Sequence, residues 1–288
     1  MTVNLLPLVF AALPGLVLIL ALLGWRWRDR RQLRRAPVSD KLLRAPGQFL
    51  HEKIAGIDEK LITTFALCTF APSMVLAATP RLPSGAQPIQ FVVPIVVAIM
   101  FSAGGGWRMW KLLGERQRCR LGLSGECAVS EELNKLMAQG CRVFHDLADE
   151  KIGNIDHIVV GSTGVYAIET KTHSKVPSLS RQPDHEVSYD GKKLIFPRYT
   201  DSDSLEQTRR NAQWLQTFLS SAVGEKIEVQ PVLALPGWFV NSGVRTSLKV
   251  VNPKMIPRLV ASNPSVLSTR QIQQVTHQLE QKCRNVDF

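Results

Sequence analysis

The chain has 288 residues, 45% of them hydrophobic and 20% charged, with five cysteines and a formal net charge of +11. These values exclude a disordered tail, a collagen-like fibre and a small disulfide scaffold, and the length allows one or two domains. The apolar residues are clustered: no charged side chain occurs from Thr2 to Trp25, from Leu61 to Pro80, or from Leu82 to Trp107.

A bilayer-spanning helix needs about 20 mostly apolar residues, and each stretch is long enough. The first has no basic residue before it and is followed directly by WRWRDRRQLRR, the pattern of an uncleaved helix at about 3–25 rather than of a cleaved signal. The second is expected to be helical at about 61–79 and the third at about 88–107. Residues 26–60 carry ten basic side chains and residues 108–120 carry five, whereas the link at 80–87 has only Arg81. Positive loops stay cytoplasmic, so three spans with the N-terminus outside are predicted. Residues 1–114 are read as a multi-pass membrane region with the lipid bilayer as partner and the C-terminal part in the cytoplasm. The alternative, that the second and third stretches are buried core helices, fits poorly with such long uncharged runs. The spans contain no Asp, Glu, Lys, Arg or His, which argues against an ion or proton path. Gly104-Gly105-Gly106 lacks the strand–loop–helix setting of a phosphate cradle and reads as helix packing or a hinge.

From about residue 115 the texture changes. GECAVSEELNKLMAQG reads as an amphipathic helix stopped at Gly140. Three β-rich runs follow, at 141–147, 154–161 and 165–171, the last two joined through Ser162-Thr163-Gly164. VSYDGKKLIF reads as a hairpin turning at Asp190-Gly191. Residues 204–223 form a helix, with Leu205, Trp214, Leu215 and Phe218 toward the core. A buried strand at 228–239, a short strand LKVVN, and helices at 253–260 and 268–282 complete an α/β sandwich around a mixed sheet. The cysteines form no CxxC pair and read as free thiols in a reducing compartment.

The chemistry-bearing residues are carboxylates and a lysine on adjoining elements. Asp156 lies in one strand; Glu169 and Lys171 lie in the next, and period two puts them on one face. A tight hairpin brings Asp156 near Glu169, and Glu126, at the start of the preceding helix, reaches the same point if that helix packs on the sheet. Converging carboxylates repel one another unless a divalent cation lies between them, and oxygen ligands suit Mg²⁺ or Mn²⁺. Such a cation binds phosphate oxygen and acidifies water, and a neighbouring lysine orients that water or neutralises developing charge. The competing readings are an exposed charge pair for Glu169 and Lys171, and a helix-dipole role for Glu126. His157 faces the other side of its strand and reads as a satisfied packing residue.

GE (125–126), FHDL (144–147), NIDHIVVGSTGVYAIETK (154–171) and LEQTRRNAQWL (205–215) together resemble the NERD, or nuclease-related, domain of the PD-(D/E)xK restriction-endonuclease-like superfamily. The resemblance covers roughly residues 119–235. It implies a restriction-endonuclease-like mixed sheet flanked by helices, a bacterial setting and DNA as substrate. It also implies that Asp156 and Glu169 hold the metal with help from Glu126, that Lys171 serves the water or transition state, and that Gln207 contacts substrate. Asp203-Ser204 stands where the family often has Asn-Pro. Arg209 and Arg210 follow Gln207 and are candidates for phosphate contact, against a solvated helix face. The domain is drawn at 115–240, with 241–288 as its helical extension. The expected function is membrane-anchored, Mg²⁺- or Mn²⁺-dependent hydrolysis of DNA phosphodiester bonds; the alternative is a tethered, non-catalytic DNA- or protein-binding module.

Overall fold

The computed structural model describes residues 41–77, 89–150, 152–175 and 185–286, together with Ala21 and Gly24. In chain order the elements are β1 (Leu42–Leu43), α1 (Gln48–Ala77), α2 (Ile89–Met137), β2 (Arg142–Asp149), β3 (Gly153–Gly161), β4 (Gly164–Thr170), β5 (Glu186–Tyr189), β6 (Leu194–Ile195), β7 (Thr200–Asp201), α3 (Asp203–Val223), β8 (Val229–Ala234), β9 (Phe239–Ser242), β10 (Lys249–Val251), α4 (Ile256–Ala261), α5 (Thr269–Cys283) and β11 (Arg284–Val286). The chain divides into two compact units: residues 1–39 with 54–118, and residues 40–53 with 119–288.

In the first unit α1 and α2 meet where Gly105 lies against Cys68, so closely that a Cβ at Gly105 would collide with the thiol. The glycine run is helical, and within it Gly105 is the residue that makes this close approach. The Arg116 guanidinium forks onto both oxygens of Asp58. One helix among the described residues is long and apolar enough to cross a membrane, the part of α2 from Val92 onward. This differs from the three spans predicted. Charged residues from Glu52 to Lys60 occupy the first part of α1, and its described course stops at Ala77. The first expected span, apart from Ala21 and Gly24, lies outside the described residues.

The amphipathic helix predicted near 125–140 is not a separate element. It is the C-terminal end of α2, which runs unbroken to Met137. Gly140, with φ 89°, lies just beyond it in the left-handed conformation that glycine tolerates. Glu126 therefore sits well inside a helix, and the helix-dipole reading fails.

The second unit is organised by a five-stranded sheet of order β10-β8-β4-β3-β2. β2, β3 and β4 are antiparallel neighbours, whereas β4, β8 and β10 run parallel. Strand alternation sorts its side chains into two cores. Ile158 and Val160 of β3, with Val165 and Ala167 of β4, pack beneath Leu215 and Leu219 of α3 and Val275 and Leu279 of α5. The intervening Val159, Tyr166 and Ile168 face Val129, Leu133 and Leu136 of α2 and Ile256 of α4. Both faces are covered, so the central strands read as nearly continuous apolar runs. A second sheet, β7-β6-β5-β9, adds a third core through Val187, Leu194, Phe196 and Trp238. α3 ends on Gly224 at φ 77°, and α5 begins with a capping box between Ser268 and Gln271.

Candidate active site

Alternation places Asp156 on the face of Ile158 and Glu169 on the face of Ala167, both toward α3. The β3–β4 ladder closes at Gly161 and Gly164 and runs to His157 opposite Ile168, where regular pairing stops. The next β4 amide on that edge, Thr170 N–H, donates instead to Asp156 Oδ2 at 2.7 Å. The aspartate thus takes the place of a backbone acceptor where the strands part.

Glu169 is held from three sides. Gln207 Nε2 donates to its Oε1 at 2.7 Å, Lys171 Nζ donates to the same oxygen at 3.0 Å, and Asn211 Nδ2 donates to Oε2 at 3.0 Å. Lys171 Nζ also reaches Gln207 Oε1 at 3.0 Å. Gln207 and Asn211 are four residues apart on α3, so one helix face presents both amides. Asn211 is the residue that sequence reasoning missed here, although its spacing from Gln207 was the available signal.

Glu126 arrives from α2. Gly125 lies so close to Thr172 that a Cβ would overlap the threonine hydroxyl. Glycine lets the helix backbone meet the chain just beyond Lys171, which brings the following glutamate to the carboxylate group. Glu126 is buried, and its Oε2 has no hydrogen-bond partner.

Electrostatics report the crowding. Burial, then the charges of Asp146 and Glu169, push the Glu126 carboxyl up to about 7, against the opposing pull of Lys171 and a backbone hydrogen bond from Gly47. Burial, then Glu169 and Glu126, also raise Asp156 well above the usual carboxylate range. Desolvation would lower Lys171, but Glu169, Asp156 and Asp201 outweigh it and hold the ammonium above its ordinary value. It is therefore a cation at neutral pH.

The structure thus brings together Glu126, Asp156, Glu169, Lys171 and Gln207. Arg209 and Arg210 are exposed, and the Arg209 guanidinium donates to the Gly191 carbonyl at 3.3 Å. Among the described residues no three His, Cys, Asp or Glu side chains form a preformed metal cage. The donor chemistry nevertheless fits a hard divalent cation. The donors are all oxygen, they repel one another, and one buried oxygen lacks a partner.

On the other face of β3, His157 Nδ1 lies 2.8 Å from His145 Nδ1 in an edge-on ring pair. Burial lowers His145 to about 4, opposed by Asp146; burial and then His145 lower His157 well below its ordinary value. The pair is neutral and shares one proton. His157 is a packing residue, as its position in the strand predicts, but only half satisfied, since its Nε2 has no partner.

The family model of the nuclease-related domain (NERD) matches residues 121–236. No curated protein and no solved structure matches the chain.

Proposed function

With the nuclease-related domain at residues 121–236 as the premise, we propose that the protein is a membrane-anchored nuclease. It hydrolyses DNA phosphodiester bonds with the help of Mg²⁺ or Mn²⁺ at the cytoplasmic face of the inner membrane. The observation that carries this reading is the meeting of Asp156, Glu169 and the partnerless Glu126 Oε2 beside the Lys171 ammonium. It fits a PD-(D/E)xK-type site.

Asp156, Glu169 and Glu126 would hold the metal, which when bound would supply Lewis acidity toward a phosphate oxygen and a more acidic water. The remaining roles fall to the chain itself. Gln207 and Asn211 fix the Glu169 carboxylate in one rotamer, which removes a reorganisation cost from the reaction. Lys171 holds its proton and offers a fixed positive charge where negative charge develops on phosphate. Arg209 and Arg210, on the exposed side of α3, would meet the sugar–phosphate backbone and set its register rather than read bases.

Anchoring draws support from the apolar surface of the first unit. Ile62, Phe65 and Leu67 of α1 and Val92, Ile99, Met100 and Phe101 of α2 are exposed. A soluble helix pair would bury such a surface.

A second reading, a non-catalytic DNA- or protein-binding module, is favoured by one feature: both Glu169 oxygens are already occupied by protein donors. The deciding experiment is digestion of plasmid and linear DNA by the full-length protein in Mg²⁺, Mn²⁺ or chelator, with Glu169→Ala as control. Metal-dependent cutting that the variant lacks supports the nuclease. DNA retention without cutting in either metal supports the module.

A further inference from the structure

The charge balance of the site involves one more acid and one more base. Asp146 is fully buried and has the left-handed φ of 52°, unusual for a residue other than glycine. In the β2–β3 ladder His145 pairs with His157 and Leu147 with Ile155, so Asp146 stands opposite Asp156. Like charges across a strand pair repel. Asn154 relieves the conflict, donating from Nδ2 to Asp146 Oδ1 at 2.8 Å and to Asp156 Oδ1 at 3.3 Å. One amide therefore ties the two aspartates together.

The compensating cation comes from 102 residues upstream. Arg44 donates from Nε at 3.1 Å and from a terminal nitrogen at 2.9 Å to Asp146 Oδ2, and only 9% of its side chain is exposed. The Phe49 amide donates to the same oxygen at 2.5 Å. That amide belongs to the first turn of α1, where backbone N–H groups lack helical partners. The segment is fastened at further points. β1 pairs with β11, and Arg44 N–H donates to the Cys283 carbonyl at 3.1 Å. Gly47, at φ 69°, leaves no room for a Cβ against Leu123, and its backbone bonds Glu126. All of these anchors on residues 41–53 lie outside the 121–236 match.

We propose that residues 41–53 are a working part of the candidate active site and that Arg44 is a positioning residue. It acts on Asp156 through Asp146 and Asn154, while Gly47 backs Glu126. This deepens the nuclease reading. The matched domain borrows a cation and two backbone contacts from a preceding segment, so displacement of the start of α1 would release both Asp146 and Glu126.

The test uses full-length protein and hydrogen exchange read by mass spectrometry, with Arg44→Ala, Arg44→Lys and Arg44→Ala/Asp146→Asn. The Thr170 amide, bonded to Asp156, is the reporter. In Arg44→Ala, peptides spanning 152–157 and 168–172 are expected to exchange about tenfold faster or more, while peptides around 212–219 and 275–279 keep their wild-type rates. Arg44→Lys keeps the charge but not the fork, and should fall between the two. Removing the uncompensated charge in the double variant should restore part of the protection. If Arg44→Ala loosens the whole domain, Arg44→Lys decides: local acceleration over an intact core supports the proposal, and none overturns it. Unchanged exchange at 152–157 and 168–172 in Arg44→Ala overturns it as well. Mn²⁺ titration of the same proteins is the second readout. If the wild type binds, Arg44→Lys should bind roughly tenfold more weakly, and equal affinity would reduce the segment to a structural brace. A wild type that binds no Mn²⁺ counts against the hydrolase reading, while the exchange result still decides the positioning claim.

Discussion

Asp156 and His157 are consecutive residues of β3, both buried, and they face opposite sides of the sheet. Burial drives both toward their neutral forms. On the His157 side the conflict is resolved locally, because two imidazoles share a proton and need no charge. On the Asp156 side neutrality is opposed. Thr170 N–H and Lys171 favour the carboxylate, Glu169 and Glu126 disfavour it, and Arg44 secures the facing Asp146. A closed pair reads as structure, whereas a group left in unresolved tension reads as a place for a ligand.

The comparison breaks most sharply at Asp156. Asp156→Ala is expected to lower Mn²⁺ affinity, measured calorimetrically, and DNA cleavage by about 10²–10³-fold. It removes a metal oxygen and also frees the Thr170 amide. Equal loss on replacing His157 would mean that the two faces are not functionally distinct.

The next effect is a dependence on pH. The folded-state carboxyl of Glu126 is raised from 4.5 to about 7, so between those values the folded protein holds a proton that the unfolded chain has lost. Its stabilising contribution is complete below about 4.5 and is lost as pH rises toward about 7. In chelator, unfolding of wild-type protein should show a loss on the order of 2–3 kcal/mol across that window. Glu126→Gln should remove most of the slope. Asp156 is shifted in the same direction and leaves a residue of it. Divalent metal should abolish the loss in wild type, because it replaces the proton. A flat profile in chelator would mean that Glu126 is not desolvated as the geometry indicates.

Much of this tension was legible in the sequence. Period two and a tight hairpin through Ser162-Thr163-Gly164 were enough to bring Asp156, Glu169 and Lys171 together. The mixed sheet followed from the order of short apolar runs and helices. Glu126 was recognisable as a carboxylate near the site, but not as a mid-helix residue, since nothing between Ile89 and Met137 marks where a helix that starts in apolar sequence should stop. Asp146 lay in plain view within FHDL. Its partner did not: Arg44 is one of ten basic side chains in residues 26–60, and composition cannot say which of them is buried against the domain. Contacts between segments a hundred residues apart leave no periodic trace.

The histidine side offers a smaller and cleaner test. His157→Leu leaves Nδ1 of the half-buried His145 without its partner, and should cost about 1–2 kcal/mol in melting experiments. Replacing both rings, as in His145→Phe/His157→Leu, removes donor and acceptor together and should cost less than the single change. Mn²⁺ affinity should be unmoved in either case. A cost equal to the sum of the two single variants would show that the rings act by packing alone and not as a hydrogen-bonded pair.

The smallest effect is expected on α3. Arg209 and Arg210 are both exposed, but Arg209 already spends a hydrogen bond on the Gly191 carbonyl, which has no counterpart at Arg210 among the described residues. Arg210 is also three residues from Gln207 and so its neighbour along the helix surface. If α3 meets a polyanion, Arg210→Ala should weaken DNA binding a few-fold, and the slope of log affinity against log salt should fall by about 1. The loss should be uniform across sequences, because a phosphate contact carries no base information. Arg209→Ala should do less, since part of its charge is already held against the β5–β6 hairpin. If binding is indifferent to both, the basic edge of α3 is a solvated helix face and nucleic acid must approach the carboxylates from the β3–β4 side.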